Sequence, residues 1–147
     1  MTISVLKVTT PGQLKLAHFI RRQVFVEEQG VPQEHEIDDI DGICTHWIML
    51  DSDSQKTIGT IRLVPGDQDN CTLGRMCIHK DQRRMGLARY LVQALETEAK
   101  LLGCKSIHVH AQTQTIAFYE RLGYILSDGP EFAEEGIMHR SMVKSIK

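Results

Sequence analysis

The sequence predicts a single domain of the mixed α/β (α+β) class, with a mostly antiparallel central sheet of six to seven strands and helices on both faces. Three observations carry this. A chain of 147 residues, 41% hydrophobic and 24% charged, fits one globular domain over residues 1–147. Short runs of alternating apolar residues read as strands, and two longer segments repeat apolar residues at helical spacing. Residues 71–111 read strand, helix, strand, so those strands should be parallel with a right-handed crossover, whereas the meander before them should be antiparallel.

Each element follows from its residues. "ISVLKVT" (3–9) alternates and reads as a strand. Thr10 is a plausible N-cap with Pro11 at the first helical position. Leu14, Ala17, Phe19, Ile20, Val24 and Phe25 supply an apolar stripe, and Gly30 and Pro32 end that helix. Residues 27–41, "EEQGVPQEHEIDDID", hold seven of the nineteen acids and no Lys or Arg. Such a run reads as a solvated loop, or as a negative wall that attracts a cation. "ICTHWIML" and "KTIGTIRLV" are strands joined at "DSDSQ", and "CTLGRMCI" (71–78) follows the turn "PGDQDN". Ala88, Leu91, Val92, Leu95, Ala99 and Leu102 mark the second long helix, with Glu96 and Lys100 paired on its wet side and Gly103 closing it. "CKSIHVHA" is a strand, "TQTIAFYERL" a short helix, and "GYILSD" and "IMHRSMVKS" two further strands.

The bulk properties exclude several functions. A net charge of −2 gives no reason to expect nucleic acid or a membrane surface as partner. Residues 1–20 carry no secretory leader, and no run approaches the roughly 18 apolar residues of a span. The four cysteines form no CxxC pair and sit in apolar segments, which predicts free thiols and a cytoplasmic location. The seven histidines show no ligand spacing, so no metal is expected.

The chemistry concentrates at "RRMGLA" (83–88), between a strand and a helix. A helix N-terminus exposes backbone N–H groups and partial positive charge, which suit phosphate. Gly86 lets an anion approach the backbone, and Arg83 and Arg84 add charge-assisted donors. The stretch is neither a P-loop nor a dinucleotide fingerprint.

Arg83-Arg84-Met85-Gly86-Leu87-Ala88 resembles the R/Q-x-x-G-x-G/A acetyl-CoA motif of the GNAT N-acetyltransferase superfamily. "AFYERLGY" (117–124) resembles that family's C-terminal signature, and "RRQVFVEEQGVP" and "EFAEEGIMH" resemble its small ElaA-like branch. The resemblance implies an acetyl-CoA-dependent N-acetyltransferase in which a primary amine of a small molecule or peptide attacks the thioester directly. The family-level expectation for assembly is a homodimer. The resemblance also implies that residues 83–88 hold the diphosphate and that backbone N–H groups at Met76, Cys77 and Ile78 face the thioester oxygen. Gln112 stands where the family often carries a CoA-contacting Asn, and Tyr119 matches its general acid. A CoA-binding regulatory module without turnover is the alternative.

An alkylammonium must lose its proton before it attacks, a deficit of roughly 4 kcal/mol near pH 7. Glu28, His79, His110, Glu131 and His139 are candidate bases. Glu28 lies in the first acidic stretch, and His139 in the tail element that carries the narrower resemblance. Cys77 is a candidate nucleophile, although a core thiol is the commoner role. Convergence of the stretches around Glu28 and Glu134 on one pocket mouth would favour a cationic acceptor.

Overall fold

Thr10 opens helix α1 (Pro11–Arg21) as a capping box, its hydroxyl accepting from the Gln13 backbone while the Gln13 side chain reaches back. The computed structural model describes residues 1–67 and 69–146. Gln68, inside the turn expected at 65–70, and the terminal Lys147 lie outside the described residues. Strand β1 (Ile3–Lys7) precedes α1, which runs on into a π-helical segment, Arg22–Glu28, and then a one-turn helix α2 (Gln33–Glu36). Strands β2 (Thr45–Asp51), β3 (Lys56–Pro65) and β4 (Asn70–Ile78) form the antiparallel meander. Helix α3 (Ala88–Leu101) leads to β5 (Ser106–Gln112), which pairs parallel with β4 as the crossover requires. The Gly103 and Cys104 amides close α3 by donating to Lys100 and Ala99, a Schellman arrangement with Gly103 at φ +85°.

The short helix α4 (Ile116–Arg121) is followed by β6 (Ile125–Leu126), β7 (Phe132–Glu134) and β8 (Ile137–Ser145). The sheet order is β1-β2-β3-β4-β5-β8-β6, with β7 also on β8. The expected fold holds, with eight strands rather than six to seven. The additional strand is β7, whose three residues are too short for alternation to register. Helix α3 and Tyr119 of α4 bury one sheet face in the main core, which holds Leu91, Leu95, Leu73, Ile107 and Met142. Helix α1 and the π-helical segment cover the other face, placing Ile20 and Val24 against Cys77. Phe19, expected in the buried stripe, is 48% exposed. Its helical neighbours Ala17 and Ile20 point inward instead.

The α1 face also holds a buried ion network. Arg21, fully buried, donates to Glu36, to both carboxylate oxygens of Asp41 at 2.9 and 3.1 Å, and to the Glu36 carbonyl at 3.0 Å. Arg62 from β3 donates to Asp41 at 2.8 Å and to both oxygens of Asp38 at 2.9 Å. Arg75 from β4 adds bonds to the Glu36 carbonyl at 3.2 Å and to Asp38 at 3.2 Å. The acidic stretch is therefore divided: Glu27, Glu28, Glu34 and Asp39 are exposed as a solvated loop would have them, whereas Glu36, Asp38 and Asp41 turn inward. Glu36, Asp38 and Asp41 neutralise the three arginines and draw the segment onto the sheet.

Burial alone would raise the Asp41 carboxyl, but hydrogen bonds and charge from Arg21 and Arg62 outweigh it and hold the group at about 2, from 3.8. A depressed carboxylate contributes fully above its unfolded pKa and loses that contribution as pH falls through the folded value. At roughly 1.36 kcal/mol per unit, about 2–3 kcal/mol should disappear between pH 4 and pH 2. Asp41→Asn is expected to cost about 3–5 kcal/mol at pH 7, because it leaves arginine charge buried and unpaired. Urea unfolding across pH 2–7 checks both, with a flatter acid limb expected for the variant.

Candidate functional site

Parallel strands β4 and β5 pair only from Asn70–Leu73 against Ser106–Val109. Both continue, β4 to Ile78 and β5 to Gln112, without a ladder between them. The cause lies in β4. Thr60 pairs with Cys77 but Arg62 pairs with Gly74, so Arg75 and Met76 together oppose Ile61, and Arg75 takes φ +48°. A bulged strand bends, and this bend carries β4 away from β5. It also switches side-chain parity. Cys71 and Leu73 face the α3 core before the bulge, and Met76 and Ile78 face it after, which turns Cys77 toward α1. β4 backbone groups that face the gap have no strand partner.

On the α1 side of the gap, Gln112 of β5 sits directly opposite His139 of β8, so their side chains share a face. Gln112 exchanges hydrogen bonds with Gln29 at 3.0 and 3.4 Å and accepts from Gln114 at 2.7 Å. His139 is 8% exposed, with Nδ1 2.7 Å from the Ile137 carbonyl. A carbonyl can only accept, so Nδ1 donates to it and Nε2 is the ring nitrogen left for a substrate. Its ring stacks on Phe132 at 5.9 Å. Glu134 lies between two imidazoles, 2.7 Å from His110 Nδ1 and 3.9 Å from His139 Nε2. His35 of α2 meets Glu135 of the last hairpin at 3.1 Å, so the two acidic stretches do converge. They converge as paired groups, however, because Glu134 and Glu135 each face a histidine.

Glu28, a candidate base, and Arg83, a candidate diphosphate donor, meet each other. Arg83 donates two bonds to the Glu28 carboxylate, at 2.6 and 2.7 Å, and Nε donates to the Ile78 carbonyl at 2.9 Å. Arg83 thus ties the end of the π-helix to the end of β4. Its hydrogen bonds hold the Glu28 carboxyl below the usual range, which makes that carboxylate a poor proton acceptor. A cavity of about 260 Å³ beside this pair is lined by Val24, Glu27, His79 and Lys80 among others.

The loop that follows leaves α3 open. Arg84 and Gly86 take φ +64° and +71°, while Leu87 and Ala88 pack on the main core and Met85 is exposed. Among the described residues no side chain caps α3, and no acid lies in its first turn. Its free N–H groups therefore face outward, and a Cβ built on Gly86 meets nothing within 4 Å, so an anion has room there. Tyr119 lies on the α3 side, packed edge-to-face between Phe118 and Tyr124, and burial pushes its phenol pKa upward. The sequence did not single out Gln29 or Phe132. Their only signal is their pairing with Gln112 and His139, which are distant in sequence.

Cys77 is 5% exposed, and burial pushes its thiol up to about 12. A thiol that stays protonated at neutral pH is no nucleophile. Iodoacetamide at pH 8 should leave Cys77 unmodified in the folded protein and label it after unfolding, as read by peptide mass mapping.

Comparison with known proteins agrees with this arrangement. The Acetyltransferase (GNAT) domain family matches residues 12–146. The uncharacterized N-acetyltransferase YjcF of Bacillus subtilis is 36% identical over 132 residues, 90% of this chain and 92% of its own. A candidate N-acetyltransferase from Lactobacillus plantarum superposes with a TM-score of 0.90 at 28% identity over 100% of both chains. Escherichia coli ElaA shares the fold, with a TM-score of 0.85 at 24% identity over 98% of this chain and 100% of its own. A gap between parallel strands, an uncapped helix mouth and these relatives lead to one conclusion: the chain belongs to the GNAT family of acetyltransferases.

Proposed function

We propose that this N-acetyltransferase takes acetyl-CoA as co-substrate and delivers the acetyl group directly to a primary amine, with no acyl-enzyme. The observation that carries this reading is the β4–β5 gap, which has Tyr119 on one side of the sheet and His139 on the other. Acetyl-CoA, when bound, supplies an acetyl thioester. The outward N–H groups of residues 84–88 suit its diphosphate, and the Gln112 amide is available beside the gap. Beyond Leu73, β4 has no ladder to β5, and any backbone N–H groups around Met76, Cys77 and Ile78 that face this opening would suit an oxygen on which charge develops.

The remaining roles are proton transfers. Tyr119 stays protonated at neutral pH because it is buried, so it can donate to a departing thiolate. His139 Nε2 accepts the amine proton, with Nδ1 fixed by the Ile137 carbonyl. Glu134 stands 3.9 Å from that nitrogen, beyond direct transfer, and is bonded to the exposed His110, so the proton leaves to solvent. Glu28, held by Arg83, positions the helix end and takes no proton.

Release of free thiol from acetyl-CoA, assayed against a broad amine panel, tests the reading. Saturable acetyl-CoA binding without turnover on any amine would leave a CoA-binding regulatory module instead. Gly86→Val is expected to abolish acetyl-CoA binding measured by calorimetry, because a branched side chain enters the anion's space and resists the positive φ. Unchanged affinity in the folded variant would place the cradle elsewhere.

Tyr119→Phe and His139→Ala should each lower turnover roughly 10²–10⁴-fold at pH 7 while acetyl-CoA affinity holds. Loss of His139 should also move activity to higher pH, where free amine is abundant. Wild-type turnover in either variant would return that residue to a packing role.

A further inference from the structure

A second cavity lies on the outer side of α1. It measures about 350 Å³ and shares no lining residue with the cavity at the end of β4. Lys15, His18, Phe19, Arg22 and Val26 line it from α1 and the π-helical segment, and Ile37 closes it from beyond α2. The helix residues recur at intervals of three and four, so they form one face. That volume suits a small molecule.

Its chemistry is two-sided. Phe19 and Ile37 are 48% and 43% exposed, large apolar groups that the fold leaves uncovered. Lys15 and Arg22 are also exposed, and neither has a carboxylate in ion-pair distance among the described residues. Arg22 instead lies 5.8 Å over the Phe19 ring. His18 Nε2 lies 3.4 Å from Asp41, at the edge of the buried network, without a hydrogen bond to it among the described residues. The only acid in the wall among the described residues, Glu36, is committed to Arg21 and Arg75. This contrasts with the rest of the α1 face, where each arginine is matched by a carboxylate.

We propose that this cleft is a second ligand site, separate from the acyl-transfer gap, that takes a small amphipathic carboxylate. The apolar body would lie on Phe19, Val26 and Ile37, and the carboxylate would reach Lys15 and Arg22. A guanidinium already held over a phenyl ring is oriented for such a charge-assisted bond. A cation is disfavoured, because no free acid lines the cleft and two cations do.

The test uses 4-phenylbutyrate as probe, with 4-phenylbutanol and 4-phenylbutylamine as charge controls, followed by amide chemical shifts of the full-length protein. The acid is expected to give saturable shifts at Lys15, Phe19, Arg22 and Ile37. The alcohol should bind at least about tenfold more weakly, and the amine should give no saturable shift. Lys15→Glu with Arg22→Glu should weaken the acid at least about tenfold. Both residues are exposed, and an unchanged melting temperature would verify that the variant folds. Arg22→Gln alone gives a milder version should the pair fail to fold. Equal binding of acid and amine, unchanged affinity in the variants, or shifts confined to residues 84–88 would each overturn the proposal, as would no saturation by the acid at millimolar concentration.

Discussion

An arginine with no exposed surface dictates much of this molecule. Arg21 sits on the sheet-facing side of α1, where desolvation would be prohibitive without carboxylates in contact. Glu36 and Asp41 supply them from a segment that would otherwise be free. Those carboxylates then accept Arg62 and Arg75, so β3, β4, α1 and the segment after it are fastened at one place. Arg75 is also the residue at the β4 bulge, and the Asp38 and Glu36 bonds hold its side chain on the α1 side. The opening between β4 and β5 is thus fixed from outside the sheet. A set of equal positive and negative charges can do this where apolar packing could not, because bonds of defined direction select one backbone geometry.

The bulge explains how two kinds of chemistry share one strand end. A regular β4 would send Cys71, Leu73, Arg75 and Cys77 to the same face. One inserted residue sends Met76 and Ile78 into the α3 core instead, and leaves Arg75 and Cys77 to the α1 side. The two faces of the opening therefore differ in character. Aromatic rings gather around Tyr119 on one, and amides and imidazoles gather around Gln112 and His139 on the other. Arg83 secures the same strand end from its far side by donating both to the Glu28 carboxylate and to the Ile78 carbonyl.

Local chemistry made parts of this legible in the sequence. The N-cap Thr10 with Pro11, the stripe from Leu91 to Ala99, Gly103 past the helix end and the strand–helix–strand unit all rest on local signals. Long-range pairing was not legible. Glu36 and Asp41 read as solvated because the arginines that bury them arrive from 15 to 39 residues away. Arg83 read as a free donor because Glu28 lies 55 residues earlier. The π-helical turn of Arg22–Glu28 left no pattern, since one added residue per turn only rotates an apolar stripe. The placement of Tyr119 and His139 on opposite faces of the sheet was not legible either, because it depends on the pairing of β5 with β8.

The long final strand β8 has a consequence for how copies of this chain treat one another. β5 occupies one of its edges along most of its length. The other edge is shared by two fragments, with β7 against Ile137–His139 and β6 against Met142 and Val143. Between them the Ser141 carbonyl accepts from the Ser127 amide at 2.9 Å. Nine residues of extended backbone would otherwise form a template on which a second chain could add a strand. Dividing the cover between pieces of two and three residues leaves no outer edge long enough to recruit one. The fold thereby protects itself against edge-to-edge aggregation at the strand that carries His139.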